Sequence, residues 1–184
     1  MTLTTIETAL PDLKIIEPKV FNDARGFFYE SFNVREFAQA LDIPTLRFVQ
    51  DNHSCSVKGV LRGLHYQIRH PQGKLVRVVV GEVFDVAVDM RSSSPTFGKW
   101  AGVHLSADNK RQFWVPPGFA HGFYVLSESA EFLYKTTDYW YPEYERSLLW
   151  NDPELAIAWP LDGSPHVAAK DAAGALLSKA EVYA

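Results

Sequence analysis

Short runs of β-branched and aromatic residues, separated by turn residues about every 8 to 12 positions, limit the possible folds of this chain more than any other feature. Residues 74–90, KLVRVVVGEVFDVAVDM, contain two such runs that meet at Gly81, and this pattern predicts a β-hairpin. Further strands are predicted at 98–105, 111–115, 122–126 and 130–137. The spacing favours an all-β sandwich or barrel over a parallel sheet with crossover helices.

The first part of the chain predicts additional strands and one helix. Segment 13–20 is predicted as an edge strand, because Pro18 cannot donate the hydrogen bond that a central strand requires. Asn33 is predicted to cap an amphipathic helix that ends before Pro44. The remaining elements are a turn at 22–26, strands at 27–32 and 46–56, and a short helix at 170–179.

Composition narrows the class of protein. The 184 residues are 47% hydrophobic, which is typical of a globular chain with one core, and we predict a single domain over residues 1–184. A net charge of −4 without a Lys/Arg-rich run argues against a nucleic-acid partner. Cys55 is the only cysteine, so an internal disulfide and a CxxC pair are excluded. No apolar stretch approaches the roughly 20 residues of a membrane span, and we expect a cytoplasmic protein without a membrane partner.

The segment VLRGLHYQ, residues 60–67, places Arg62 and His65 three positions apart on a predicted strand. Strict alternation would send the two side chains to opposite faces of the sheet. If both serve one pocket, the strand must bulge near Gly63. Taken alone, a histidine among apolar residues is more often a hydrogen-bonded core or surface side chain than a catalyst.

Other polar and aromatic residues follow the predicted strands. Segment 130–140 puts Tyr134 and Trp140 on one strand face, roughly 20 Å apart if the strand stays straight, which is the span of an extended nucleotide sugar. Core packing with a hydrogen-bonded hydroxyl is the alternative for Tyr134. Proline- and glycine-containing turns deliver Lys74 and His121 to strand ends, where polar residues suit the mouth of a barrel. Asp171 could orient a distant imidazole.

Taken together, five segments resemble the dTDP-4-dehydrorhamnose 3,5-epimerase family, a branch of the cupin jelly rolls. In order, they are VLRGLHYQ, QGKLVRVVVGEVFDVAVDMR, PPGFAHGF, YKTTDYW with the following PEYER, and Lys170-Asp171. The resemblance implies a double-stranded β-helix with a few short helices, assembled as a strand-exchanged homodimer. It also implies inversion at C3 and C5 of dTDP-4-dehydro-6-deoxy-D-glucose to give dTDP-4-dehydro-L-rhamnose, for dTDP-L-rhamnose biosynthesis, without a metal or another cofactor.

The resemblance also implies a role for particular residues. His65 matches the general base, Asp171 the acid paired with it, and Tyr134 the proton donor. Lys74 matches the residue beside the C4 oxygen, and Trp140 the aromatic that stacks on thymine, which is usually tyrosine in the family. Positions that hold the nucleotide, its phosphates or the sugar are matched by Arg25, Phe28, Glu30, Gln50, Asp51, Asn52, Arg62, His121, Glu145 and Lys170. Because an edge strand leaves backbone groups unpaired, we expect Arg25, Phe28 and Glu30 to serve the neighbouring subunit's pocket.

Three alternatives remain at this point. A metal-dependent cupin would use His65, His121 and Glu131, although Gln67 stands where metal cupins carry a second histidine, and metal analysis would distinguish it. A sugar-binding jelly roll without activity is disfavoured because the base, acid and enolate-stabilising positions are all filled. An epimerase of a related antibiotic sugar that acts at C3 or C5 alone would be separated by counting deuterium labels in the product.

Overall fold

Two antiparallel sheets packed face to face form most of the structure, a computed structural model that describes residues 3–184. The strands are β1 Thr4–Glu7, β2 Lys14–Glu17, β3 Phe21–Asp23, β4 Gly26–Phe28, β5 Gln50–Val57, β6 Val60–Gln67, β7 Lys74–Val80, β8 Glu82–Asp89, β9 Trp100–Ser106, β10 Gln112–Val115, β11 Phe119–Val125, β12 Ser129–Thr136, β13 Glu145–Ser147 and β14 His166–Val167. The α-helices are α1 Val34–Leu41 and α2 Ala169–Ala172, and short 3₁₀ helices cover Pro142–Tyr144 and Leu177–Lys179.

Sheet 1 has the order β1-β2-β10-β7-β12-β5, and sheet 2 the order β13-β6-β11-β8-β9. In sheet 2, β14 also pairs with β6, in parallel, and β3 pairs with β4 in a separate hairpin. Consecutive strands repeatedly change sheet, so this mostly-β architecture is that of a jelly roll, and the predicted all-β class is confirmed. Within residues 3–184, no helix is long and apolar enough to cross a membrane.

The inward faces of the two sheets form the main core. Alternate residues such as Val76 and Phe132 from sheet 1 meet Val83 and Phe123 from sheet 2, and the rings of Phe123 and Phe132 stack with centroids 4.3 Å apart. The outer face of sheet 1 is covered in part by α1, through Phe37. Apolar side chains therefore fill the space between the sheets at one end of the sandwich. The space at the other end is open to a cleft.

The helix prediction is confirmed. Helix α1 begins after Asn33, whose side chain accepts a hydrogen bond from the amide of Arg35, and it ends at Leu41, before Pro44. The C-terminal helix predicted at 170–179 is instead one turn, α2, and a separate 3₁₀ turn, because Gly174 interrupts the alanine-rich segment.

Three of the predicted strand arrangements are wrong. Strands β7 and β8 do not form a hairpin, because the chain turns a corner at Gly81 and enters the other sheet. Gly81 has φ +75°, and a Cβ there would lie 2.0 Å from the carbonyl oxygen of Ser129, so the corner requires glycine. Strand β2 lies inside sheet 1, because the unpredicted strand β1 takes the edge. The strand predicted at 27–32 ends at Phe28 and pairs only with β3.

Candidate active site

A cleft of about 420 Å³ opens between the two sheets at the end where the core stops. Its walls combine carboxamide, imidazole, ammonium, guanidinium and aromatic groups, a mixture that suits a polar substrate with an aromatic part. The lining residues are Gln50, Asn52, His53, Ser54, Arg62, His65, Gln72, Lys74, His121, Gly122, Phe123, Phe132, Tyr134, Trp140, Glu145 and Lys170.

A local irregularity in β6 brings Arg62 and His65 to the same cleft. His65 lies opposite His121 of β11, whereas Arg62 lies opposite Phe123, so β6 has one residue more than β11 over this stretch. Gly63 has φ +119°, and a Cβ there would lie 2.6 Å from the Cα of Gly122, so only glycine fits between the strands. The bulge predicted near Gly63 is confirmed.

His65 is held by a buried carboxylate behind it. Its Nε2 lies 2.6 Å from Oδ1 of Asp171, and Oδ2 of Asp171 accepts a hydrogen bond from the Gly63 amide at 3.2 Å. Burial raises the pKa of Asp171, but the hydrogen bond and charge of His65, together with the Gly63 amide and Lys170, outweigh it and hold the pKa below its usual range. Asp171 therefore stays ionised and fixes the orientation of the imidazole, and the predicted contact is confirmed.

Lys74 supplies a buried cation at the floor of the cleft. Its side chain is 8% exposed, and its Nζ donates a hydrogen bond to the carbonyl oxygen of His65 at 3.3 Å. Burial lowers the pKa of Lys74 to about 8, although the carboxylates of Glu145 and Asp85 oppose the shift. At neutral pH the ammonium form of Lys74 therefore predominates.

A second histidine–carboxylate pair lies beside Lys74. His121 Nε2 is 2.8 Å from Oδ1 of Asp85, which is fully buried. Burial raises the pKa of Asp85, and His121 and Lys74 partly offset this. Oδ2 of Asp85 has no hydrogen-bond partner among the described residues, and His121 and Lys74 act on this carboxyl group through space.

Tyr134 faces the cleft from the opposite sheet. It belongs to β12 of sheet 1, whereas His65 belongs to β6 of sheet 2. Burial and the charge of Glu145 raise the pKa of Tyr134, and Arg62 only partly opposes them, so the phenol keeps its proton. The cleft thus has an imidazole on one wall and a protonated hydroxyl on the other.

Hydrogen bonds connect the polar residues at the cleft rim. Gln50 Nε2 donates to Oδ1 of Asn52 at 3.0 Å, and Gln50 Oε1 accepts from the amide of Trp140 at 3.1 Å. Glu145 accepts from the Trp140 indole at 3.4 Å and from Lys170 Nζ at 3.2 Å. Asn52 Nδ2 is buried without a partner in the range 3–184, which leaves one donor for a ligand. Strand β12 ends at Thr136, so the prediction that Tyr134 and Trp140 share one strand face is wrong, yet both line the cleft.

Besides Asp171, which is buried behind His65, four predicted site residues do not line this chain's own cleft. Asp51 lies on the face of β5 opposite to Asn52, where its carboxylate binds Lys135 Nζ at 2.8 Å. Arg25 is 90% exposed and pairs with Asp23 on the β3–β4 hairpin, and Phe28 of that hairpin is 64% exposed. Glu30 follows the same hairpin and does not line the cleft.

Comparison with known proteins shows the family of the chain. The family model described as dTDP-4-dehydrorhamnose 3,5-epimerase matches residues 7–179. The chain belongs to this family. It is 62% identical to the dTDP-4-dehydrorhamnose 3,5-epimerase of Pseudomonas aeruginosa over 95% of this chain and 96% of that protein. It is 59% identical to the Salmonella typhimurium enzyme of the same name over 97% of each chain.

The structure is also similar to solved structures of the family. It matches dTDP-6-deoxy-D-glucose-3,5-epimerase from Legionella pneumophila, solved in complex with dTDP-4-keto-L-rhamnose, with a TM-score of 0.95 and 60% identity. That match covers 97% of this chain and 95% of the other. Family membership therefore rests on the whole length of the fold.

The residues of the metal-cupin alternative do not converge. Glu131 pairs with His53, whose Nε2 lies 3.0 Å from the Glu131 carboxylate, on a wall away from the His65–Asp171 pair. Over residues 3–184, no three His, Cys, Asp or Glu side chains are grouped as metal ligands would be.

Sequence reasoning missed several polar residues in or near the cleft: His53, Ser54 and Gln72 of its lining, and the buried Asp85 and Gln67. Asp85 is a charged residue at an inward-facing position of β8, where the alternation predicts an apolar residue. A charged residue at such a position indicates a buried polar contact, so Asp85 could have been identified from the sequence. Gln67 ends the segment VLRGLHYQ and is 3% exposed, but a strand pattern gives no sign of what a terminal glutamine binds.

Proposed function

We propose that this chain epimerises dTDP-4-dehydro-6-deoxy-D-glucose at C3 and C5 to dTDP-4-dehydro-L-rhamnose, for dTDP-L-rhamnose biosynthesis. The observation that carries the proposal is the placement of His65, backed by ionised Asp171, and protonated Tyr134 on opposite walls of one cleft. Inversion requires removal of a proton from one face of the sugar and delivery to the other, and these two walls supply the two groups.

In the proposed mechanism His65 removes a hydrogen α to the C4 ketone. The electron pair of the C–H bond moves to the C4 oxygen, and the resulting enolate is stabilised by the Lys74 ammonium, with His121 as a neighbouring donor. Tyr134 then returns a proton to the same carbon from the opposite face. The carbon is neither oxidised nor reduced overall, so the balance of the reaction calls for no cofactor.

The rest of the cleft suits the nucleotide. Arg62 and Lys170 provide positive charge for the two phosphates, and a guanidinium can bind phosphate oxygens in bidentate geometry. Trp140, 53% exposed at the rim, offers a flat face on which thymine stacks. Asn52 offers its unused amide to the substrate. The single cysteine supports our placing the enzyme in the reducing cytoplasm.

We also propose a homodimer in which the β3–β4 hairpin reaches the neighbouring cleft. The hairpin pairs with neither sheet and exposes Phe27 and Phe28 at 58% and 64%, and an isolated two-stranded hairpin is marginally stable in water. A second copy that covers these rings would also receive Arg25 and Glu30 in its cleft. This accounts for their distance from the cleft of their own chain.

Complementation between two inactive variants tests the hairpin exchange. We expect Arg25→Ala and His65→Gln to be nearly inactive alone, and to regain activity when mixed, because one cleft of each mixed dimer then has both residues intact. With random reassortment, about a quarter of wild-type activity should return. A mixture with no more activity than the sum of its parts would show that Arg25 acts in its own chain.

Product analysis in deuterated water tests the function itself. We expect two labels per product molecule, one at C3 and one at C5, with inversion at both carbons, because each epimerisation replaces a substrate hydrogen by a solvent hydron. Mass spectrometry gives the number of labels, and proton NMR gives their positions and the configuration. A single label with inversion at one carbon would favour the mono-epimerase alternative. No label would rule out proton-transfer epimerisation.

A further inference from the structure

The indole of Trp140 is half exposed and has few polar contacts. The residue is 53% exposed, and within residues 3–184 its indole has one hydrogen bond, to Glu145 at 3.4 Å. An exposed aromatic that must present one face to a ligand needs a backbone fixed by other groups. The contacts of the two neighbouring peptide groups therefore decide how the ring is presented.

One buried side chain binds both of these peptide groups. Gln67 Nε2 donates to the carbonyl oxygen of Tyr139 at 3.1 Å, and Gln67 Oε1 accepts from the amide of Tyr141 at 2.7 Å. The same Nε2 donates to the carbonyl oxygen of His70 at 2.7 Å. With the side chain 3% exposed, water does not compete for these bonds.

The chemistry of the contact requires a carboxamide. Holding a carbonyl oxygen and an amide hydrogen at once needs a donor and an acceptor on one rigid group, which glutamine has and glutamate or methionine lacks. Gln67 is also two residues from His65 on β6, about 7 Å along the strand and on the same face. The contact thus fixes the Trp140 segment relative to the strand that carries the proposed base.

We propose that Gln67 is a positioning residue for nucleotide recognition, which clamps the backbone on both sides of Trp140 so that the indole is preorganised for the base. This inference rests on the proposed function, in which Trp140 stacks on thymine. It predicts a defect specific for the base, because Gln67 does not line the cleft and two of its hydrogen bonds hold the peptide groups on either side of Trp140.

Binding of dTDP and of inorganic pyrophosphate to Gln67→Met separates the two parts of the ligand. We expect dTDP affinity to fall roughly tenfold, within the range that loss of one base–aromatic stack costs, and pyrophosphate affinity to stay unchanged. KM for the sugar nucleotide should rise by a similar factor with little change in kcat, because the proton transfers occur at the other end of the substrate. Isothermal titration calorimetry and steady-state kinetics give these values.

Tyr66→Phe is the matched control. Tyr66 precedes Gln67 on β6, and its hydroxyl donates a buried hydrogen bond to the carbonyl oxygen of Glu181, away from the cleft. Its loss should lower the melting temperature without changing dTDP affinity. Gln67→Asn is the second variant if Gln67→Met does not fold, because it keeps a neutral carboxamide but is one methylene shorter and cannot hold the Tyr139 carbonyl and the Tyr141 amide together.

A double-mutant cycle with Trp140→Ala decides between positioning and a general structural role. If Gln67 acts through the indole, Gln67→Met should have no further effect on dTDP affinity once the ring is absent. Additive losses, an equal loss of pyrophosphate affinity, or wild-type dTDP affinity in Gln67→Met would each overturn the proposal. Failure of the wild-type protein to bind dTDP would overturn the proposed function as well. Failure of the Gln67 proposal alone would leave wild-type binding of dTDP intact, so the two failures can be told apart.

Discussion

Replacing His65 by glutamine is expected to lower kcat by about 10³-fold or more, within the range that a general base contributes, and to stop exchange of solvent deuterium into C3 and C5. Glutamine is chosen because its amide can still donate a hydrogen bond to Asp171, whose carboxylate is 2% exposed and would otherwise lie buried without its main partner. The fold is therefore preserved while the only group that accepts the proton is removed. Exchange is measured by NMR in deuterated buffer.

The control for this variant is the same substitution at another histidine–carboxylate pair. His104 Nδ1 lies 2.9 Å from Glu82 on the exposed outer side of sheet 2, outside the cleft. His104→Gln should leave exchange and kcat unchanged. Affinity of His65→Gln for dTDP should match that of the wild type, because the imidazole faces the sugar. Exchange at the wild-type rate in His65→Gln would show that another residue is the base.

The residues around the cleft could be predicted from sequence where a local rule determined their position. A glycine between Arg62 and His65 on one strand implied a bulge if both residues served one pocket. The register of β6 against β11 contains this bulge. The turn before Lys74 and the capped helix α1 followed from equally local chemistry. These features depend on residues within about four positions of each other, and sequence periodicity reports such relations directly.

Features that depend on distant pairing could not be predicted in this way. The turn at Gly81 indicated a change of direction, but whether β7 and β8 pair or enter different sheets depends on β10, β11 and β12. Strand β1 has mostly exposed residues, so its alternation is weak and only pairing with β2 makes it a strand. Gln67 contacts Tyr139, 72 positions away. The role of Gln67 therefore depends on a loop that reaches it only in the folded chain.

Removal of the Tyr134 hydroxyl is expected to separate deprotonation from inversion. Tyr134→Phe keeps the ring, which packs against Phe132 with centroids 6.1 Å apart. It also keeps Lys74 on the neighbouring strand β7 and His65 on the opposite wall of the cleft. The base and the enolate-stabilising cation are intact, so the α-hydrogen should still leave. The imidazolium then holds the abstracted proton and exchanges it with solvent, and it lies on the face from which the hydrogen was removed.

Solvent label should therefore appear in substrate that has not been inverted, while formation of epimerised product falls by about 10²-fold or more, the contribution typical of a general acid. Tyr124→Phe is the matched control, because it removes a phenol that accepts a hydrogen bond from the Asp162 amide outside the cleft. Label and configuration are read from one NMR sample over time. Full inversion at a near wild-type rate in Tyr134→Phe would make Tyr134 a packed aromatic of the core. Another proton donor on the wall formed by sheet 1 would then be required, because a proton delivered from the His65 side restores the original configuration.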